Sequence, residues 1–461
     1  MRTSLRTALA AAVTASLTGG LLGLTMGCAT AAPAKAPEPA KAYDFNGDGN
    51  RDYTNYRDQK GVIVTYGTKS GPGTETFAFD QDSPGIPGKN KYDEDSFGAS
   101  MASADFNGDG YADLAASDAG ESADGHYERG MVVIVWGSKS GLGSKASTID
   151  PTSSDSGQFF GIGLAAGDFN GDGKPDLAVT DDRAVHVHRG GFTPSGTTGK
   201  VSTATPPKGS EFGPISLVAG NVTKDRNTDL YALGYKWADG RYTSGIWFLK
   251  GGSTIKPGKL TMADKPTRSY DLDEAVLADF DKDGYGDLAY NDTRYKKYAG
   301  SVRVLRGGAN GPTSSYRLTQ DTPGVATAAT AGDFFGGSIS AGDTNRDGYP
   351  DLAIGTGEEL GDLDGAGGAH VLHGGKKGLT GTGSKWFTRD TKGIPGKAKE
   401  YEGFGAHVRL DDFDRDGDAD LLLSGAPVKD KPSGTLLNGG RSGITTATLR
   451  EVPFTATYYR Q

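Results

Sequence analysis

Residues 105–113 read Asp105-Phe-Asn107-Gly-Asp109-Gly110-Tyr111-Ala-Asp113. The same acidic nonapeptide returns with starts at Asp44, Asp168, Asp279, Asp343 and Asp412, and in degraded form at Asn221. The starts lie 61, 63, 53, 58, 64 and 69 residues apart, so a unit of about sixty residues occurs seven times. A repeat of that period marks a propeller or a solenoid. Each intact copy places oxygen donors at positions 1, 3, 5 and 9 around a glycine at position 6, a spacing that suits Ca²⁺, a hard cation that takes six to eight oxygens.

Six loops are therefore expected to hold calcium, with position 7 lending its backbone carbonyl. The ligand sets are Asp44, Asn46, Asp48, Asn50 and Asp52; Asp105, Asn107, Asp109, Tyr111 and Asp113; Asp168, Asn170, Asp172, Lys174 and Asp176. The later three are Asp279, Asp281, Asp283, Tyr285 and Asp287; Asp343, Asn345, Asp347, Tyr349 and Asp351; Asp412, Asp414, Asp416, Asp418 and Asp420. An EF-hand would need Glu at position 12, where three copies have Ala116, Val179 and Ile354. Asp, Asn and Gly also favour turns without any metal, but six copies in register with the repeat weigh against that reading. In the fourth unit Asn221, Thr223, Asp225 and Asp229 supply two carboxylates and Arg226 replaces the glycine. That loop is expected to be metal-free, with Arg226 standing in for the cation.

Working outward, each unit alternates short β-branched and apolar runs with Gly and Asp, the pattern of short strands. In the second unit Leu114-Ala115-Ala116 follows the loop, and Gly130-Met-Val-Val-Ile-Val-Trp-Gly137 comes later. Counterparts of that third strand are Gly61 to Gly67, Ala184 to Gly190, Gly245 to Gly251, Gly300 to Gly307, Gly368 to Gly374 and Gly434 to Gly439. Four strands per unit and seven units predict an all-β, seven-bladed β-propeller of four-stranded antiparallel blades. The blades are expected at about 42–95, 96–157, 158–209, 210–269, 270–331, 332–398 and 399–461.

Phe97-Gly98, Phe160-Gly161, Phe212-Gly213, Phe335-Gly336 and Phe404-Gly405 precede their loops by some seven residues. With the later G-x-V-x-V strand, they resemble the FG-GAP repeats of the integrin α-subunit propeller, which also occur in bacterial secreted proteins. The resemblance spans Ala42 to Gln461 and departs from the pattern at three places. Unit one lacks Phe-Gly before Asp44, unit five has Asp271-Leu272-Asp273 there, and unit four has lost its metal loop. Neither an Asp-x-Ser-x-Ser adhesion motif nor an anchor helix accompanies it. The resemblance implies a calcium-dependent binding or adhesion module for an extracellular protein or glycan.

Arg2 and Arg6 precede an almost uncharged, Ala- and Leu-rich stretch to Gly27, which reads as a secretory signal peptide over 1–31. A Pro/Ala/Lys linker follows at 32–41. Thr25-Met26-Gly27-Cys28 is an imperfect lipobox, so lipid anchoring through Cys28 is the alternative to free secretion. Cys28 is the sole cysteine, which leaves the folded region without a disulfide although it is read as exported. The net charge of −9 is mostly metal-ligand carboxylate, and six Ca²⁺ would offset it. No basic cluster interleaved with aromatics argues for nucleic acid, and no stretch after the leader approaches the ~20 apolar residues of a membrane span.

If each loop bound calcium with a dissociation constant near ~0.1 mM at ~1 mM calcium, it would contribute about 1.4 kcal/mol. Six such loops would contribute about 8 kcal/mol, comparable with the stability of a whole domain.

His186 and His188 lie two apart on a strand and share a face. They are read as structural, having no matching carboxylate nearby in sequence. Neither G-x-S-x-G nor H-E-x-x-H is present. The variable segments between second and third strands carry Tyr127, Trp237, Tyr242, Tyr295 and Tyr298. These are the candidate ligand residues, expected to form one patch on the face opposite the calcium loops. A secreted polysaccharide lyase or hydrolase on the same scaffold is the competing class.

Overall fold

The computed structural model describes residues 39–453 apart from 57–60, 90–95, 123–124, 152–154, 264, 269–271, 273 and 429–430. The expected leader, Cys28 and most of the linker lie outside the described residues. Seven antiparallel sheets follow one another along the chain. The first has three strands among the described residues, β1 (Tyr53–Tyr56), β2 (Val62–Thr68) and β3 (Gly71–Phe79). The second comprises β4 (Met101–Ala104), β5 (Asp113–Asp118), β6 (Met131–Val135) and β7 (Ala146–Ile149). The third comprises β8 (Gly163–Gly167), β9 (Asp176–Thr180), β10 (Val185–His188) and β11 (Val201–Ala204). The fourth, β12 (Gly213–Gly220), β13 (Asp229–Ala238), β14 (Arg241–Lys250) and β15 (Lys256–Met262), has the longest hairpin. The fifth has β16 (Ala275–Ala278), β17 (Asp287–Asn291), the single turn α1 (Tyr295–Tyr298), β18 (Val302–Leu305) and β19 (Ser315–Leu318). The last two are β20 (Ser338–Gly342), β21 (Asp351–Thr356), β22 (Gly368–His373) and β23 (Thr380–Phe387), then β24 (Val408–Asp411), β25 (Asp420–Val428), β26 (Lys431–Leu437) and β27 (Leu449–Pro453).

Strands β4, β8, β12, β16, β20 and β24 lie innermost and touch in succession. They enclose a central cavity of about 430 Å³ in which Arg409 faces Glu274 at 4.0 Å. Where the first blade would place an inner strand, the segment before Asp44 runs instead. There the Tyr43 backbone N–H donates to Ser103 Oγ at 2.8 Å and the ring lines the cavity. This shortened blade is one of the two units without a Phe-Gly pair. The ring closes beside it: Tyr53 stacks on Phe413 at 5.8 Å, Arg51 Nε lies 3.3 Å from Asp411, and β3 touches β27.

The core sits between blades, in seven apolar clusters that each join two neighbours. Two recurring sequence positions build these seams. One is the aromatic of the Phe-Gly pair: Phe97, Phe160, Phe212, Phe335 and Phe404 are all buried against the preceding blade. In unit five Leu272, 5% exposed, takes that place, so the departure from the Phe-Gly pattern preserves the packing. The other is loop position 2, where Phe45, Phe106, Phe169, Val222, Phe280 and Phe413 fill the seam with the following blade. Burying one such ring removes ~2 to 3 kcal/mol worth of apolar surface from water, and the sum over the seams holds the ring without a disulfide.

Candidate functional site

The acidic loops join first to second strands and lie on one face of the blades. Each closes on its own first aspartate: in the second copy Asp105 Oδ1 accepts the Asp109 N–H at 3.0 Å and Oδ2 the Gly110 N–H at 2.9 Å. Asn107 Oδ1 accepts the Asp109 N–H and Asp109 Oδ1 the Tyr111 N–H, so the side chains fold inward around the loop. Gly110 has φ +91° there, a left-handed conformation that a side chain would strain.

Position 9 has a further duty. Asp52, Asp113, Asp176, Asp229, Asp287, Asp351 and Asp420 each accept, through Oδ1, the backbone N–H of the glycine that ends their own blade's third strand, at 2.7 to 3.0 Å. Most also bind the position-2 N–H through Oδ2, as Asp113 does with Phe106 at 2.9 Å. A side chain on the strand-ending glycine is excluded, since a Cβ on Gly137 would lie 2.1 Å from the Ala112 carbonyl. The aspartate therefore staples the third strand to the loop, which explains why the degraded fourth unit keeps Asp229. Burial, with neighbouring carboxylates adding to it, pushes Asp52, Asp287 and Asp420 up to about 7 and Asp113 to about 8.

The donor set fits a calcium ion. Asp44 Oδ1 and Asp287 Oδ2 belong to residues no more than 6% exposed and have no hydrogen-bond partner among the described residues, which is a costly arrangement unless a cation takes them. Carboxylate oxygens of Asp279, Asp281 and Asp283 approach within 4.8 Å of one another, as do those of Asp412, Asp414 and Asp416. In the fourth loop the expectation for Arg226 is corrected: Lys250 Nζ, from β14, pairs with Asp225 at 3.3 Å. Lys224 reaches past its own loop to the Asp283 carbonyl at 2.8 Å. Lys250 immediately precedes Gly251, whose N–H Asp229 holds, so the end of β14 lies beside the loop, whereas Arg226 is exposed.

Neighbouring loops are linked. The position-1 carbonyls of Asp44, Asp168, Asn221 and Asp343 accept the position-8 N–H of the next loop at 2.7 to 2.9 Å. Lys282 lies over the Tyr349 ring at 5.5 Å, and Arg346 Nη2 is 3.0 Å from Asp416.

The second-to-third strand connections meet the Phe-Gly segments of the following blades on the opposite face. Tyr298 O accepts the Phe334 N–H at 2.8 Å, and Arg129 O accepts the Phe160 N–H at 3.1 Å. The five aromatics expected to form one patch fall into separate groups. Trp237 and Tyr242 lie on paired strands rather than in a loop, with ring centroids 4.4 Å apart, and Tyr235 packs on Tyr242 at 4.8 Å. Tyr298 packs on Phe334, Tyr295 lies under Arg317 at 4.1 Å, and Tyr127 is exposed elsewhere. Exposed Phe334 and Tyr401 extend the aromatic set to blades six and seven. Phe159, Glu211 and Phe334, each immediately before a Phe-Gly pair, have φ of +51 to +53°. The preceding position of the motif was the overlooked signal, because the left-handed turn there directs its side chain away from the seam.

Trp237 is 54% exposed at one end of an open cleft of about 760 Å³ between blades three and four, with Phe159, Pro206 and Pro207 along it. Two of its lining acids are paired, Glu211 with Lys236 at 2.5 Å and Asp182 with Arg183 at 3.3 Å, and Lys208 lines it as well. His186 and His188 are interior instead. His186 Nε2 lies 2.9 Å from Asp181, a carboxylate five residues upstream that sequence reading did not pair with it, and both rings pack on Phe160.

Residues 105–179 and 168–232 match the model of the FG-GAP-like repeat, and residues 335–372 that of the FG-GAP repeat. Phosphatidylinositol-glycan-specific phospholipase D of Rattus norvegicus is 42% identical over 86 residues, covering 17% of this chain and 10% of that protein. The Homo sapiens protein of the same name is 40% identical over 89 residues, covering 18% and 10%. The chain thus spans about a tenth of the length of the curated relatives it matches. Among solved structures, an Agrocybe aegerita lectin described as recognising non-reducing terminal N-acetylglucosamine is similar with a TM-score of 0.46 and 18% identity, covering 76% of this chain and 80% of that one. The Dos1 propeller is similar with a TM-score of 0.42 and 9% identity, covering 87% and 84%.

Proposed function

Starting from the fact that this chain is an FG-GAP repeat protein, we propose that it is a secreted, calcium-stabilised binding module that engages an extracellular protein or glycan on the face opposite its acidic loops. The observation that carries the reading is the cleft between blades three and four. An exposed indole backed by two tyrosines, beside paired charges, offers a stacking platform with polar groups at its edge, and aromatic residues of this kind anchor interfaces. The cleft is also in the size range of ligand sites.

Calcium would be held by positions 1, 3, 5 and 9 of the six intact loops, with the position-7 carbonyl. Bound there, it would supply positive charge to carboxylates that otherwise repel one another. The residues themselves fix the loops: the position-1 aspartate gathers the N–H groups of positions 5 and 6, and position 9 ties the loop to the third strand. Because the loops are linked across seams, support from the ion would reach the scaffold rather than the ligand face. Leader cleavage at Ala31 or lipidation at Cys28 would decide whether the module is free or surface-tethered.

The test is a glycan array together with a panel of immobilised extracellular proteins, probed with the wild-type chain and with Trp237→Ala. Binding by the wild type in calcium and its loss in the variant is the expected result. A ligand bound equally by both would remove the cleft from the proposal, and turnover of a polysaccharide would favour the competing enzyme class.

A further inference from the structure

Loops five and seven differ from the other four intact loops in one residue type. Position 3 is asparagine in Asn46, Asn107, Asn170 and Asn345 but aspartate in Asp281 and Asp414, and loop seven also has Asp418 at position 7, so loop five carries one additional carboxylate and loop seven two. Among the described residues these are also the two loops in which a guanidinium is seen on a carboxylate at position 3 or 5. Arg306, just beyond β18, binds Asp281 through Nη1. Arg346, from the sixth loop, reaches across the seam to Asp416 Oδ1 at 3.0 Å and also contacts Asp418. Asn438 Nδ2 donates to Asp414 Oδ2 at 2.6 Å. Arg189 in the third unit differs, because it binds the position-9 carboxylate of Asp176 at 2.8 Å and leaves positions 3 and 5 alone.

We propose that Arg306 and Arg346 are counterweights to the additional carboxylates and hold down the calcium affinity of loops five and seven. The inference rests on the calcium reading of the loops. A dication approaching Asp281 or Asp416 meets a fixed positive charge already bound to its ligand, and must displace it or share the oxygen. Arg346 belongs to one loop and loads the next, so the affinity of the seventh site is set partly by the sixth. Neither arginine needs to leave for the ion to enter, since each carboxylate retains lone pairs, but its charge opposes entry either way. In loop five one arginine meets one additional acid, whereas in loop seven Arg346 spans Asp416 and Asp418 while the Asn438 amide holds Asp414, an offset that brings affinity toward that of the other four.

The experiment is equilibrium dialysis of the chelator-stripped full chain against graded free calcium, counting bound ions. The wild type is expected to fill its sites over one narrow range. Arg306→Gln with Arg346→Gln should split off two sites of about tenfold higher affinity, the order of effect of one nearby charge. Lysine at both positions should restore the wild-type curve, which separates charge from packing should the Gln variant fold poorly. Asp281→Asn alone should weaken one site, and Asp281→Asn with Arg306→Gln should return it to the wild-type range. Unchanged or weakened binding in the double Gln variant, with six ions still bound by the wild type, would overturn this inference alone. No calcium bound by the wild type would overturn it together with the calcium reading.

Discussion

Gly130 and Phe160 form a parallel bridge across the seam between the second and third blades. Gly130 opens the third strand of one blade, and Phe160 begins the Phe-Gly pair of the next. A Cβ on Gly130 would lie 2.2 Å from the Phe160 carbonyl oxygen, and Gly130 has φ +82°. Gly300 with Phe335 repeats the bridge between blades five and six. The two halves of the repeat motif are thus two sides of one joint.

Phe160→Ala should destabilise the protein by ~3 to 5 kcal/mol, the range for removing a buried aromatic ring, and Gly130→Ala should lower the melting temperature without removing any ring. The melting temperature in saturating calcium measures both. A Gly130→Ala protein as stable as the wild type would show that the backbones can separate without loss.

Much of this joint was legible in the sequence, because five units place a Phe-Gly pair shortly before the acidic loop and most units open the third strand with a glycine. The third-strand periodicity and the loop copies fixed the blade count for the same reason. Leu272 illustrates what repetition hides: with the Phe-Gly letters missing, only the packing shows that the apolar position survives. The aromatic face was harder to read. Trp237 and Tyr242 are strand residues of a long hairpin, and their meeting depends on the cross-strand register of β13 and β14. Lys250, not Arg226, meets Asp225 because it immediately precedes Gly251, which Asp229 ties to the loop, the same position from which Arg189 and Arg306 reach Asp176 and Asp281.

The metal-free protein should become less stable as pH rises from about 5 to about 8.5. Asp52, Asp287 and Asp420 titrate near 7 and Asp113 near 8 in the folded chain, against 3.8 ordinarily. Folding therefore takes up protons in this window, and the stability they contribute is lost as pH passes through the folded values. Calcium bound at the loops would hold the same carboxylates ionised, so the loaded protein should not show the fall. Melting curves at the two pH values, with and without calcium, decide the matter; a metal-free protein more stable at the higher pH would refute it.

Metal counting on stripped and reloaded protein should return about six calcium ions per chain, one per intact loop. Two or fewer would sink the six-site reading. Asp109→Ala should lower the count by one and weaken the seam between blades one and two, because its loop shares a backbone hydrogen bond with Asp44.

Trp237→Ala with Tyr295→Ala should abolish ligand binding while leaving calcium content and melting temperature nearly unchanged. Trp237 is more than half exposed and its ring rests on Tyr242, so truncation removes a surface platform rather than a core contact. Tyr295 contacts the Arg317 side chain from one side and contributes to no apolar cluster between blades. The acidic loops project from the other ends of the strands, beyond reach of either ring. The two rings belong to separate groups, so the single variants carry information that the pair does not. Loss through Trp237→Ala alone would place the ligand in the cleft between blades three and four. Loss through Tyr295→Ala alone would move it to the fifth blade, and normal binding by the double variant would exclude both groups as the docking surface.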